Sequence, residues 1–120
     1  MVGVLDAFGK QYMTDVRDEA ILTVERLLVG SDQSDRGRRL AATLGELSPD
    51  ETNTHRAIAV EAIDLAIHHV LWMFERSDTF DIVSKLPGGT SESVRDASDG
   101  FSGELYSEDG WIARFSRFDG

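Results

Sequence analysis

The chain has 120 residues, 22 of them acidic and 12 basic, for a formal charge of −10 at pH 7, with 41% hydrophobic residues and no cysteine. That length fits one domain, residues 1–120, with enough chain to build a hydrophobic core. The missing cysteines exclude disulfides, zinc-ribbon sites and thiol nucleophiles and fit a reducing cytoplasm.

The first segment is predicted to be helical. Leu5, Phe8, Tyr12 and Val16 recur at helical spacing, and Ile21, Val24, Leu27 and Leu28 continue the stripe. Gly9 weakens it, and Thr14-Asp15 offers a fresh start, so residues 4–29 read as one helix or two abutting ones. Gly30-Ser31-Asp32-Gln33-Ser34-Asp35 ends it with a glycine stop and polar turn residues. A second helix follows over residues 35–46, with Leu40, Ala41, Leu44 and Leu47 as its apolar edge. Ser48-Pro49-Asp50-Glu51 is a capping box with proline at the first helical position, and it opens a third helix reaching Ser77. At 1.5 Å per residue that helix would be about 40 Å long, which makes a break near residues 52–54 expected.

Beyond Asp78 the character changes. Phe80, Ile82 and Val83 suggest a short strand, Leu86-Pro87-Gly88-Gly89-Thr90 a turn, and Ser91 to Arg95 a polar stretch. Trp111, Ala113 and Phe115 alternate with Ile112 and Arg114, which reads as a strand closed by a hairpin at Glu108-Asp109-Gly110. The expectation is an α+β fold. Three or four helices, one of them a central amphipathic helix, occupy residues 1–77. They pack against a small C-terminal sheet of two or three strands within residues 78–120.

Charge narrows the function. Nucleic-acid binding begins with a basic patch, and the one basic cluster, Arg36-Gly37-Arg38-Arg39, is flanked by Asp32 and Asp35. Only Lys10 and Lys85 are lysine. High acid with scarce lysine suggests a salt-rich cytoplasm, where screening within about 3 Å at 1 M removes self-repulsion. An arginine-rich chain from an ordinary mesophile is the alternative. Apolar runs broken by charges predict a soluble chain with no membrane span, and the acidic N-terminal region does not read as a signal peptide.

Two stretches hold the candidate chemistry. In Glu61-Ala62-Ile63-Asp64-Leu65-Ala66-Ile67-His68-His69-Val70-Leu71-Trp72-Met73-Phe74-Glu75, a helix leaves Glu61, Asp64, His68, Trp72 and Glu75 on one strip. Asp64 and His68, four apart, meet on that face. A carboxylate-held imidazole is a usable general base, and carboxylates with histidine bind divalent cations. The structural alternative has His68 bonded to Asp64 with Trp72 buried over it. His69 reads as a core-edge histidine and His55 as solvated. The second stretch, residues 98–112, is rich in glycine, aromatics and acids. Asp99, Glu104, Glu108 and Asp109 offer oxygens to a cation, but at no EF-hand spacing. Tight turns are the alternative there. No nucleophile elbow, phosphate loop or dinucleotide fingerprint is present.

On His68-His69-Val70-Leu71-Trp72-Met73-Phe74-Glu75 and Ser98-Asp99-Gly100-Phe101-Ser102-Gly103-Glu104-Leu105-Tyr106-Ser107-Glu108-Asp109-Gly110-Trp111-Ile112-Ala113-Arg114-Phe115-Ser116, the chain resembles a family of small prokaryotic proteins of unknown function. Phe101 stands where that pattern has leucine. The resemblance implies that the two blocks form a unit, and it implies no activity.

Two functions follow. The first is a non-catalytic, acidic, cytoplasmic protein-interaction module that meets a basic protein partner, as small immunity or antitoxin-like proteins do, with no cofactor, nucleic acid or membrane. The second is a small enzyme or divalent-metal protein. Its catalytic candidates are Asp64, His68 and Glu104, and its metal candidates are Glu61, Asp64, His68, Asp99 and Asp109. The feature that separates them is whether the segment from Gly100 to Gly110 closes over the His68 strip or leaves a cleft with converging carboxylates.

Overall fold

A helix of 28 residues, α4 (Pro49–Arg76), is the spine of the molecule. The computed structural model describes residues 3–118. Ser48 starts α4 with a full capping box: its hydroxyl accepts from the Glu51 amide while the Glu51 carboxylate accepts from the Ser48 amide. No break occurs near residues 52–54. The helix runs through for about 42 Å at 1.5 Å per residue, because each backbone group there keeps its helical partner and Thr54 bonds back to Asp50.

The N-terminal helix is also continuous from Val4 to Leu28, but it is not α-helical throughout. α1 (Val4–Tyr12) passes into a π-helical turn at Met13–Asp18 and then into α2 (Glu19–Leu28). The wider turn shifts the buried stripe by one residue. Tyr12, Met13, Arg17, Asp18 and Ile21 face inward, while Val16, expected on the apolar face, is exposed. α3 (Asp35–Leu44) is capped by Ser34 and lies against α2. α2 in turn packs along α4, and Arg56 bonds Glu25 between them at 2.9 Å.

The sheet is a two-stranded antiparallel hairpin, β1 (Val83–Lys85) with β2 (Ser91–Ser93), in the register Val83 to Ser93 and Lys85 to Ser91. The predicted polar stretch after the turn therefore supplies the second strand. Gly88 and Gly89 both take positive φ in the connecting turn, and the Leu86 amide bonds the Thr90 carbonyl. Two 3₁₀ turns follow, Arg95–Ala97 and Phe101–Leu105, and then a short helix α5 (Trp111–Phe115).

The strand expected at Trp111 is thus a helix. Trp111 and Phe115 are four apart and meet on its inner side with Ile112, leaving Ala113 and Arg114 exposed. The turn at Ser107–Gly110 feeds this helix instead of closing a hairpin. A Cβ on Gly110 would collide with the Tyr106 carbonyl, so glycine is required at that close approach.

The core joins α1, α4 and the C-terminal segment. Tyr12, Met13, Ile67, Leu71, Val94, Phe101, Leu105 and Trp111 are buried together. Phe8, Tyr12 and Phe101 surround the Trp111 indole with ring centroids 5.8, 6.4 and 6.1 Å away. Trp111 is fully buried in this core, but Trp72, which the structural alternative buried over His68, is 41% exposed and lies outside it. Tyr12 donates its hydroxyl to the Ile67 carbonyl at 2.8 Å, and burial raises its pKa to about 12.

α4 outruns this core. The molecule measures 52 × 31 × 28 Å. Over 18 residues α4 reaches a mean hydropathy of 1.5, with only 17% of that window buried. By length and composition alone it could cross a membrane.

Candidate functional site

The polar strip of α4 ends on partners inside the fold. Asp64 does not bond His68. It takes a two-pronged bond from Arg17, with Nε to Oδ1 at 2.7 Å and Nη2 to Oδ2 at 3.2 Å. The π turn explains the exchange, since it rotates Arg17 and Asp18 inward side by side against α4. Arg17 is fully buried, so its charge needs this pairing. Its Nη1 also donates to the Ser116 hydroxyl at 2.7 Å and to the Phe118 carbonyl. Asp18 accepts from the Ser116 hydroxyl and from the Arg117 amide. The C-terminal tail is thereby latched to the N-terminal helix and to α4.

His68 lies one turn beyond Asp64 and pairs with Tyr106, Nδ1 to hydroxyl 2.9 Å. Burial, and then the charges of Asp64 and Glu61, push the Tyr106 pKa up. With the ring proton on Nε2, Nδ1 accepts a hydrogen bond from the phenol; with it on Nδ1, the ring donates to the phenol oxygen. One turn further, Glu75 accepts from the Ser102 amide at 2.8 Å and the Ser102 hydroxyl at 3.1 Å, pinning the 3₁₀ turn Phe101–Leu105. At the C-terminus of α4, Arg95 donates to the Phe74 and Ser77 carbonyls at 3.0 and 2.8 Å. The segment from Gly100 to Gly110 is thereby pinned to the strip at His68 and Glu75, while Glu61, Trp72 and Glu75 stay exposed.

The remaining candidates gather elsewhere. Arg114 makes a two-pronged bond to Asp6, at 2.9 and 3.2 Å, which holds the Asp6 carboxyl below its ordinary range. Glu104 lies in the same neighbourhood. Burial, then the charges of Asp99 and Asp6, raise its pKa, with Arg114 opposing. Asp99 and Asp109 are exposed, and Asp109 acts on Arg114. Glu61 is exposed beside Tyr106.

The structure thus brings Asp64, His68 and Glu61 near Tyr106 and sets Glu104 and Asp109 near Arg114, with Asp99 beside Glu104. Among the described residues, no group of three or more His, Asp and Glu side chains is placed to hold one metal ion. A cavity of about 450 Å³ lies at the C-terminal end of α4, lined by Glu75, Arg95, Asp96, Ser98, Asp99 and Phe101, and of the candidates only Asp99 borders it. Its one cation, Arg95, is engaged by Asp81 and Asp96. His69, expected at the edge of the core, is exposed and bonds the Leu65 carbonyl at 2.7 Å, and His55 does the same with Glu51.

Sequence reasoning missed Arg17, Asp18, Arg95 and Tyr106. The apolar residues gave no signal for the first pair: Val16, which continues the stripe in sequence, is exposed, and the buried side runs through Met13, Arg17, Asp18 and Ile21. No family model, no curated protein and no solved structure matches this chain.

Proposed function

We propose that this chain is a non-catalytic protein-interaction module of the cytoplasm, with a basic protein as its class of partner. What carries the reading is the contrast between two sets of side chains on α4. Asp64, His68 and Glu75 each end on a partner from the same chain. Ile58, Leu65, Trp72 and Met73 on the same helix remain exposed. Polar groups committed within the fold are poorly disposed to do chemistry, and exposed apolar side chains on one face mark a contact surface. The charge of −10 favours a basic partner by speeding the encounter, and such binding weakens as salt screens it.

Native mass spectrometry of the chain, purified at low salt from its own cells, tests this. The expected result is a complex with a protein chain of different sequence and basic charge, and no stoichiometric metal. Retention of one divalent metal ion per chain without a protein partner, abolished in His68→Ala, contradicts it and favours a metal site at the strip.

A further inference from the structure

The outer face of α4 is built to a rule. Ile58, Leu65 and Trp72 recur at intervals of seven and are 66%, 52% and 41% exposed. Ala62, His69 and Arg76 fall between them, four residues after each. This is the spacing with which one helix offers a continuous seam to another. It lies opposite Val60, Ile67 and Leu71, which are buried in the fold. Arg76 rests its guanidinium over the Trp72 ring at 4.5 Å, covering one side of the last position.

The molecule also buries too little of itself. Its accessible surface is 7992 Å². A compact monomer of 13.3 kDa is expected to expose about 6,450 Å². The excess, about 1,500 Å², exceeds the roughly 800 Å² per partner of a standard interface. The radius of gyration says the same: 17.2 Å, against about 13.6 Å for a compact chain of this length.

The charges on this face choose the occupant. If a second α4 is laid antiparallel about Leu65, Ile58 meets Trp72, Leu65 meets itself, Glu61 meets His69, and Arg76 comes within a helical turn of Glu51. In a parallel pair Glu61 would face Glu61 and Arg76 would face Arg76. The face is therefore complementary to itself in one orientation, which is what a two-fold interface requires.

We propose that a second copy of this chain covers the outer face of α4, the two helices packing antiparallel with Leu65 on the two-fold axis. This rests on the reading of the chain as an interaction module, and it gives the apolar face of α4 to a second copy while the acidic remainder of the surface is left to a basic partner. Two chains of charge −10 repel, so the pairing tightens as salt rises, opposite to the binding of a basic partner.

Sedimentation of the full chain over a range of concentration, in dilute and in molar KCl, reads the pairing. A 13.3 kDa monomer is expected to pass to a dimer with concentration, and at lower concentration in molar KCl. Leu65→Glu is expected to stay monomeric with a melting midpoint close to the parent monomer's. The chain has no cysteine of its own, so single cysteines read the orientation. Oxidised Leu65→Cys should give a disulfide dimer and Ile58→Cys should not.

A monomer at all concentrations, a dimer that survives Leu65→Glu, or equal cross-linking of Ile58→Cys overturns the proposal. So does a monomer that floats with phosphatidylcholine–phosphatidylglycerol vesicles and loses them in Leu65→Glu, which would give the face to a bilayer. A plain monomer leaves the wider interaction reading to the native mass measurement, where a retained metal without a second protein defeats it.

Discussion

At the scale of single residues, two side chains carry consequences that their residue types alone would not suggest. Gly9 sits inside α1, where alanine ordinarily adds about 0.5–1 kcal/mol of helix stability. Here a Cβ would land in the Trp111 indole, whose Nε1 is buried without a hydrogen-bond partner. Gly9→Ala is therefore expected to destabilise by about 1–3 kcal/mol through overpacking, despite the helical gain. Urea denaturation checks this, and a stabilised variant contradicts the packing. Glu104 carries a pH dependence. Its pKa is raised in the fold, first by burial and then by Asp99 and Asp6. A raised carboxyl favours the fold below its unfolded pKa, and that contribution is lost as pH rises through the folded value. Glu104→Gln should thus melt higher than the parent at neutral pH, with the difference closing as pH falls below the ordinary glutamate range. A variant equal to the parent at neutral pH would show that the site holds its charge without penalty.

Elements separate what the sequence displays from what it hides. The capping box at Ser48 and the glycine turn at Gly88-Gly89 were legible because local hydrogen bonds and backbone freedom decide them. The α+β fold followed from helical periodicity and the shift in character after Asp78. Trp111 was misread because five residues with apolar groups at alternate positions satisfy a strand as well as a single helical turn. The answer lay in tertiary packing against Phe8, Tyr12 and Phe101. The polar strip was visible, but its partners were not, because Arg17, Ser102 and Tyr106 are distant in sequence and charged residues read as solvated. The π turn is the clearest case, since it alone buries Arg17 beside Asp64. Asp64→Ala should strand that guanidinium and cost about 3–5 kcal/mol, whereas Arg17→Met with Asp64→Leu should lose less than Asp64→Ala alone. Chemical denaturation of the three variants reads this. A double variant at least as damaged as Asp64→Ala would mean that Arg17 stabilises chiefly through the Ser116 and Phe118 contacts.

The whole molecule is an acidic, elongated body whose spine is joined to its C-terminal segment by a polar seam. Among the described residues, Asp6, Glu25, Asp35, Asp64, Asp81 and Asp96 have ion-pair partners. Among the described residues these six are a minority of the acids, and the formal charge of −10 leaves a net repulsion that salt can screen. The melting midpoint should therefore rise from dilute to molar KCl, by about 4 °C for each kcal/mol of repulsion relieved. Chloride is the right anion, because sulfate stabilises most proteins by exclusion. An unchanged or falling midpoint would contradict adaptation to salt. The strip on α4 is a structural seam in this reading, held by the segment pinned to it at His68 and Glu75. The most direct test is a double-mutant cycle between His68 and Tyr106, read by chemical denaturation at neutral pH. The account expects His68→Ala and Tyr106→Phe each to destabilise, with a coupling of about 0.5–1.5 kcal/mol, so that the double variant loses less than the sum. Additive losses, or a His68→Ala variant more stable than the parent, would contradict the seam and return His68 to the candidates for chemistry.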